Sequence, residues 1–553
     1  MRKQQQKMTA SGRHRICLMG LLCLFGMVLS AQIQPNQGSE RRKSKVYLLH
    51  SDMLKKSAQV PDAQILVGNV AFRHDSVYMY CDSAYFYEKN NSLEAFDNVK
   101  MQQGDTLFLY GDRLFYDGNS QLAQVRNHVR MENRNTTLTT DSLDYDRVNN
   151  LGYYFAGGTL SDEENVLTSE WGEYSPQTKM SVFNFDVVLE NPKFTLTSDT
   201  LRYSTATKIA NIVGPSHIVS DANHIYSELG FYHTQIGQAE LLNRSVLTNE
   251  GKQLTGDSLF YDRVRGIGEA FRNVVMNDTV NKNQLQGEYC YYNERTQYAF
   301  ATDRALAVDY SQGDSLFMHA DTLMMCTLHH NTDSMYRETR GYHKVRIYRS
   351  DVQGVCDSLV FSSKDSCLTL YRDPILWSRN QQLLGEQIHI YMNDSTIDWA
   401  HIVNQALSVE RLDSVNFNQV AGKEMKAFFE QGDMRRVEVN GSVRVVYFPM
   451  EKDSTLIGMN VSETSELEMQ LENRKMKKMI MRPKSNGTLY PMNQLPEGKT
   501  RLENFAWFDY IRPLDKEDVF HWRPKKAGQE LKKSKRGTAP LPNQKLFENQ
   551  QKK

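Results

Sequence analysis

The chain has 553 residues, and 66 Lys plus Arg are balanced by 66 Asp plus Glu, so its formal net charge is zero. That balance leaves no electrostatic footprint for nucleic acid. Hydrophobic residues make up 40%, Tyr (28) and Phe (24) are plentiful and Pro (14) is scarce, a composition that favours sheet over helix.

Residues 1–15, "MRKQQQKMTASGRHR", are basic and lack acids, and the apolar run "ICLMGLLCLFGMVLSA" follows, ending in Ser30 and Ala31. This order reads as a secretory signal peptide cleaved near Ala31. The apolar run is shorter than the ~20 residues a spanning helix needs. Residues 1–31 are therefore assigned to a signal peptide and 32–44 to a flexible lead. Export leaves five cysteines, Cys81, Cys290, Cys326, Cys356 and Cys367, with no CxxC among them. A Cys356–Cys367 disulfide and small buried strand side chains are both open readings of that set.

From residue 45 the chain repeats itself. Taking the acid that opens each unit as offset zero gives Asp52, Asp82, Asp112, Asp141, Glu170, Asp199, Glu228, Asp257, Glu288, Asp321, Asp357 and Glu386. The steps are 30, 30 and then 29 as far as Asp257, after which they loosen to 31, 33, 36 and 29. A period this steady marks stacked supersecondary units. Offset +4 is aromatic from Phe86 and Tyr116 through Tyr145, Tyr174, Tyr203, Tyr232 and Tyr261 to Tyr292. Offset +2 is often aliphatic, as at Leu114, Leu143 and Leu259, while +17 and +19 carry pairs such as Val129/Met131 and Val274/Met276. Residues two apart share one face of a strand. Each unit thus predicts two strands joined by a polar turn, with the small residue before the acid marking a corner where one strand crosses between sheets.

The prediction is an all-β chain: an elongated β-jelly roll or β-solenoid of about 11–12 units of ~29–30 residues, its two sheets facing across an apolar interior. The repeat body is placed at 45–450, a C-terminal β module at 451–515, and a basic tail without a core at 516–553. The acids recur on every rung, whereas a hydrolase or lyase needs one special place, so they read as corner residues. The histidines share no ligand spacing, and no GxSxG, HExxH, phosphate loop or dinucleotide fingerprint occurs. No enzyme, metal or cofactor is expected. The interior columns are the candidate site: Leu114, Tyr116, Val129, Met131, Leu143, Tyr145, Tyr203, Tyr261, Val274 and Met276. They read either as a closed core or as the lining of a groove for acyl chains.

"GNV" at 68–70, "DSAYFY" at 82–87, "EAFDNVKM" at 94–101 and "GDTLFLYGDRLFYD" at 104–117 resemble the OstA-like family, related to LptA and the N-terminal domain of LptD. The resemblance covers about 45–450, and "RLENFAWFDYIRP" at 501–513 is similar to the C-terminal part of the long Bacteroidetes type. It implies a twisted V-shaped β-jelly roll whose interior shields lipid A acyl chains, in a periplasmic protein of lipopolysaccharide transport or outer-membrane assembly. It also implies partners among the transport components at the inner and outer membranes, with an outer-membrane association open. The shorter members assemble end to end, which leaves self-association of this longer chain open. A non-lipid structural or adhesive β-solenoid of the envelope is the alternative.

Overall fold

The computed structural model describes residues 44–529, apart from 221–222, 250, 312, 331, 394–395, 431–432, 452, 454 and 473–474. The expected signal peptide, the expected lead up to residue 43 and the tail from residue 530 lie outside the described residues. Among the described residues there is no α-helix, and the strands pair antiparallel. Contacts divide the chain into two units, one of residues up to 105 with 113–123, the other of 106–112 with 124 onward.

In the first unit Gln64–His74 pairs with Val77–Tyr87, which pairs with Ser92–Gln103. Its core holds Leu66, Phe72, Met79, Ala84, Leu93, Met101, Leu114 and Tyr116. The Phe72 and Phe86 rings lie 5.4 Å apart.

The second unit shows how a rung is built. Met180–Asn191 pairs with Phe194–Ser204, which pairs with Ile209–Ser220. Asn184 faces Thr200 and Val187 faces Ser198, so Phe185 and Asp186 together oppose Asp199. Both bulged residues are left-handed, at φ +65° and +51°. A bulge of this kind bends its strand. The strands are thereby divided at the corner into two arms. The first arm precedes the acid in the acid-bearing strand and the second follows it, with the bulged partner strand running through the two in the opposite order. The left-handed pair recurs at Asn127–His128, Arg272–Asn273, Asp303–Arg304, His343–Lys344 and Arg372–Asp373.

The repeated acids hold these corners. Glu170, Asp257 and Glu288 donate their backbone N–H to the carbonyls of the left-handed Phe185, Arg272 and Asp303, at 3.1, 3.0 and 2.8 Å. Their carboxylates accept from the same corners: Asn273 Nδ2 lies 3.1 Å from Asp257, His128 Nδ1 2.7 Å from Asp112 and Arg372 3.0 Å from Asp357. The residue before each acid points inward where there is no room. A Cβ on Gly111 would sit 2.4 Å from Val125 Cγ1, and one on Gly385 would sit 2.4 Å from Ile402 Cγ2. Where this residue is serine its hydroxyl is buried and bonded along the corner, as from Ser216 to Ser198 at 2.7 Å and from Ser245 to Ser227 at 2.8 Å.

Inside the bend, the first arm stacks Leu160, Leu167, Leu189, Leu196 and Ile218 in register. The second arm alternates large and small: Tyr145, Gly152, Tyr174, Ser181, Tyr203, Ala210, Tyr232, Ala239, Tyr261, Gly268, Tyr292 and Ala299 face one another in that order. Each ring therefore has a small residue on both flanks, the interdigitation that fills a core without strain.

After Asn486–Pro491 the chain leaves the sheet. Residues 500–523 run back across the outer face of the first arm instead of forming more strands. The expected start of a coreless tail at 516 falls inside this packed segment, where Asp518 and Val519 are 7% and 0% exposed.

Candidate functional site

Eight of the ten predicted interior residues, Leu114, Tyr116, Val129, Met131, Leu143, Tyr145, Tyr203 and Val274, are at most 2% exposed. Tyr261 and Met276 are half-buried. This difference follows from how the arms are joined. Tyr203 donates its phenol to Asp162 Oδ2 at 2.6 Å and accepts from Asn165 Nδ2 at 2.9 Å. Asp162 and Asn165 close the hairpin at the end of the opposite arm, and Lys208 Nζ adds a 3.0 Å ion pair to Asp162. Asn133 Nδ2 likewise reaches Tyr174 Oη at 3.0 Å, and Phe194 packs on Tyr232 with centroids 4.6 Å apart. In the first unit His74 Nδ1 lies 2.5 Å from Tyr116 Oη. Burial, with the Asp162 carboxylate beside it, pushes the Tyr203 phenol far above its ordinary pKa, and burial raises Tyr232 as well. These tyrosines are clasps between the arms.

From Val246 onward the interior changes. On the first arm Leu247, Leu254, Met276, Ala307 and Met318 follow one another in register through the buried Leu285, and each of the five is half-buried. On the second arm Tyr261, Tyr292, Met325 and Phe361 hold the equivalent inward positions, also half-buried. Near the corner Leu259, Ala270, Val274, Ala301 and Leu323 remain at most 3% exposed. The result is an apolar trough with a packed floor and two half-buried walls. Its surface is aliphatic, aromatic and thioether, suited to holding flexible apolar chains by area and not by directed bonds.

Tyr261, Val274 and Met276, expected on the inward face from their offsets, face Gly268, Gly287 and Leu285 in register. The offsets missed Leu254, three residues before Asp257 and outside the offsets used, and Met318 and Met325, which lie where the period loosens. They also missed Asn133, Asp162 and Asn165, polar turn residues: Asn133 and Asp162 each precede the tyrosine they meet by 41 residues, and Asn165 precedes it by 38. The five described cysteines are all free thiols. Burial pushes Cys81 and Cys290 up to about 12, so they are inert packing groups.

Residues 43–199 and 217–307 match the family model described as OstA-like protein. Over these residues the chain is similar to the OstA-like family. Among solved structures, this OstA-like chain matches the crystal structure of LptH, the LptA homologous periplasmic component of the conserved lipopolysaccharide transport device from Pseudomonas aeruginosa. The two are 18% identical, the match covers 21% of this chain and 94% of that one, and the TM-score is 0.20. Among curated proteins none matches. No helix among the described residues is long and apolar enough to cross a membrane.

Proposed function

We propose that this OstA-like chain binds an amphiphilic lipid of the lipopolysaccharide class, holding acyl chains in the trough between Leu247 and Phe361 while the headgroup stays in water. The observation that carries this reading is the pair of half-buried apolar columns, Leu254, Met276 and Met318 on the first arm and Tyr261, Tyr292 and Met325 on the second. Burying acyl methylenes there stabilises a complex by roughly 0.8 kcal/mol each, so a lipid with several acyl chains is retained through mild purification, whereas a single chain binds only reversibly. The family resemblance supplies the lipid class, the periplasmic setting and a role in transport toward, or assembly at, the outer membrane beside other transport components.

The non-lipid solenoid reading is favoured locally, over residues 133–245, where the tyrosine clasps close the interior. Mass spectrometry of lipid extracted from the gently purified protein separates the two. Acylated lipid is expected on the wild type, with a several-fold loss in Met276→Asp, because a carboxylate on an apolar wall must be desolvated or repel the chain. Equal lipid on a folded Met276→Asp protein, or no acylated lipid on the wild type, would sink the proposal.

A further inference from the structure

The outer face of the first arm changes character along the second unit. One register column on that face runs Thr195, Val219, His224, Thr248, Gln253, Asn277 and Gln284, mostly polar and facing water. The same column continues as Val308, Phe317, Tyr348, Gln353, Trp377, Gln382, Val409 and Gln419. Trp377, Gln382 and Val409 are 0% exposed. Residues 500–523 cover this stretch as a third layer.

Three buried glutamines bind that segment, two through its main chain and one through an arginine side chain. Gln419 accepts from Leu502 N at 2.8 Å and donates to Thr500 O at 2.9 Å. Gln382 accepts from Phe508 N at 2.7 Å and donates to Ala506 O at 2.9 Å. Gln353 Oε1 accepts from Arg512 Nε at 2.7 Å. Side-chain amides placed this way satisfy an extended backbone without adding a strand, while Phe508 and Ile511 fill the apolar spaces between them.

The far end of the segment sits on the trough wall. Val519 and Phe520 pack on Leu306, Val308 and Phe317, and Phe520 lies 5.0 Å from the His319 ring and 4.4 Å from the Arg304 guanidinium. Asp518 pairs at 3.4 Å with Arg346, which is wholly buried. The strands beneath, Leu306–Asp309 and Leu316–His319, are four residues each, against sixteen in Thr396–Arg411. Side chains alternate across a strand. Leu306, Val308 and Phe317 therefore meet the segment, while Ala307 and Met318 on the same two strands form the trough wall.

We infer that residues 500–523 are a strap whose far end clamps the two short wall strands, so that strap docking sets how far the trough opens. Its role in ligand access rests on the lipid reading, but the clamp itself does not. The test is backbone amide exchange on the full chain carrying Val519→Ser with Phe520→Ser, with the milder Val519→Thr as a second variant. Exchange in 306–309 and 316–319 is expected to rise by about tenfold or more in the double variant and less in Val519→Thr, while 194–204, under its own clasps, does not change. Faster exchange in 514–523 with 306–319 unaltered would overturn the clamp, as would a rise of the same size in 194–204. A fluorescent fatty-acid probe, added to the same proteins, reports separately. Altered uptake alongside faster wall exchange ties the clamp to the trough. Unaltered uptake with faster wall exchange keeps the clamp and counts against the lipid reading.

Discussion

Tyr203 is worth more to the fold than its apolar area. Its hydroxyl is buried, and it meets a carboxylate that also faces Lys208 and Asn165. Removing only the oxygen leaves the ring in place and strands part of that polar cluster. Tyr203→Phe is expected to lower the local opening free energy of Phe194–Ser204 by about 1–3 kcal/mol, read from amide exchange. Gly422 tests the corner from the opposite direction. A Cβ there, at the corner position that precedes Lys423, would stand 2.5 Å from Cγ1 of the fully buried Val439. Gly422→Ala is expected to cost about 1–3 kcal/mol through overpacking, measured as a lower denaturation midpoint. The sequence already showed that residues before the acids are small; it did not show what they avoid, because the opposing valine or isoleucine comes from the next strand.

At the scale of the element, the corner explains why acid and turn chemistry recur together. Two consecutive left-handed residues are costly for most side chains, and Asn, Asp or Gly carry that cost best. Asn273, at φ +50°, also donates to Asp257. Asn273→Gly should leave stability within a few tenths of a kcal/mol, whereas Asn273→Val should lose about 1–2 kcal/mol, with thermal unfolding comparing the pair. Strand positions, the bend at the acid and the inward faces at +2, +4, +17 and +19 were legible in the sequence because hydrophobic alternation encodes them directly. The polar dipeptide just before +17 was visible but carried no sign of a bend. Its left-handed geometry depends on the partner strand supplying a single residue against two.

At the scale of the whole molecule, the strap was the least legible feature. "RLENFAWFDYIRP" has no strand period, since its contacts run across rungs and not along one. Even so, the outer column turning from Thr195 and His224 to Phe317 and Trp377 is the mark of a covered face. Its anchor predicts a pH response. Burial alone would raise the Asp518 carboxyl, but hydrogen bonds from Arg523 and Leu514 N and the charges of Arg523 and Arg346 outweigh it, and its pKa lies below the ordinary carboxylate value. Burial in turn pulls Arg346 down to about 10, which leaves it charged at neutral pH. A depressed carboxylate stabilises the folded form fully above its unfolded value, about 3.9, and loses that contribution as pH falls through the folded value. Strap exchange, corrected for intrinsic rate, should therefore stay level from about pH 6 to 8 and rise below about pH 4. Asp518→Asn should bring the loosened state to neutral pH.

The trough itself is tested most directly by photo-crosslinking in the cell envelope, with a photoreactive residue placed at Met276, at Met318 and at Leu196. The first two stand on half-exposed walls, while Leu196 is 0% exposed beneath the clasps. Acylated lipid adducts at 276 and 318, with none at 196, are the predicted result. Adducts of equal yield at 196, or none at 276 and 318 in cells that express the folded protein, would contradict it.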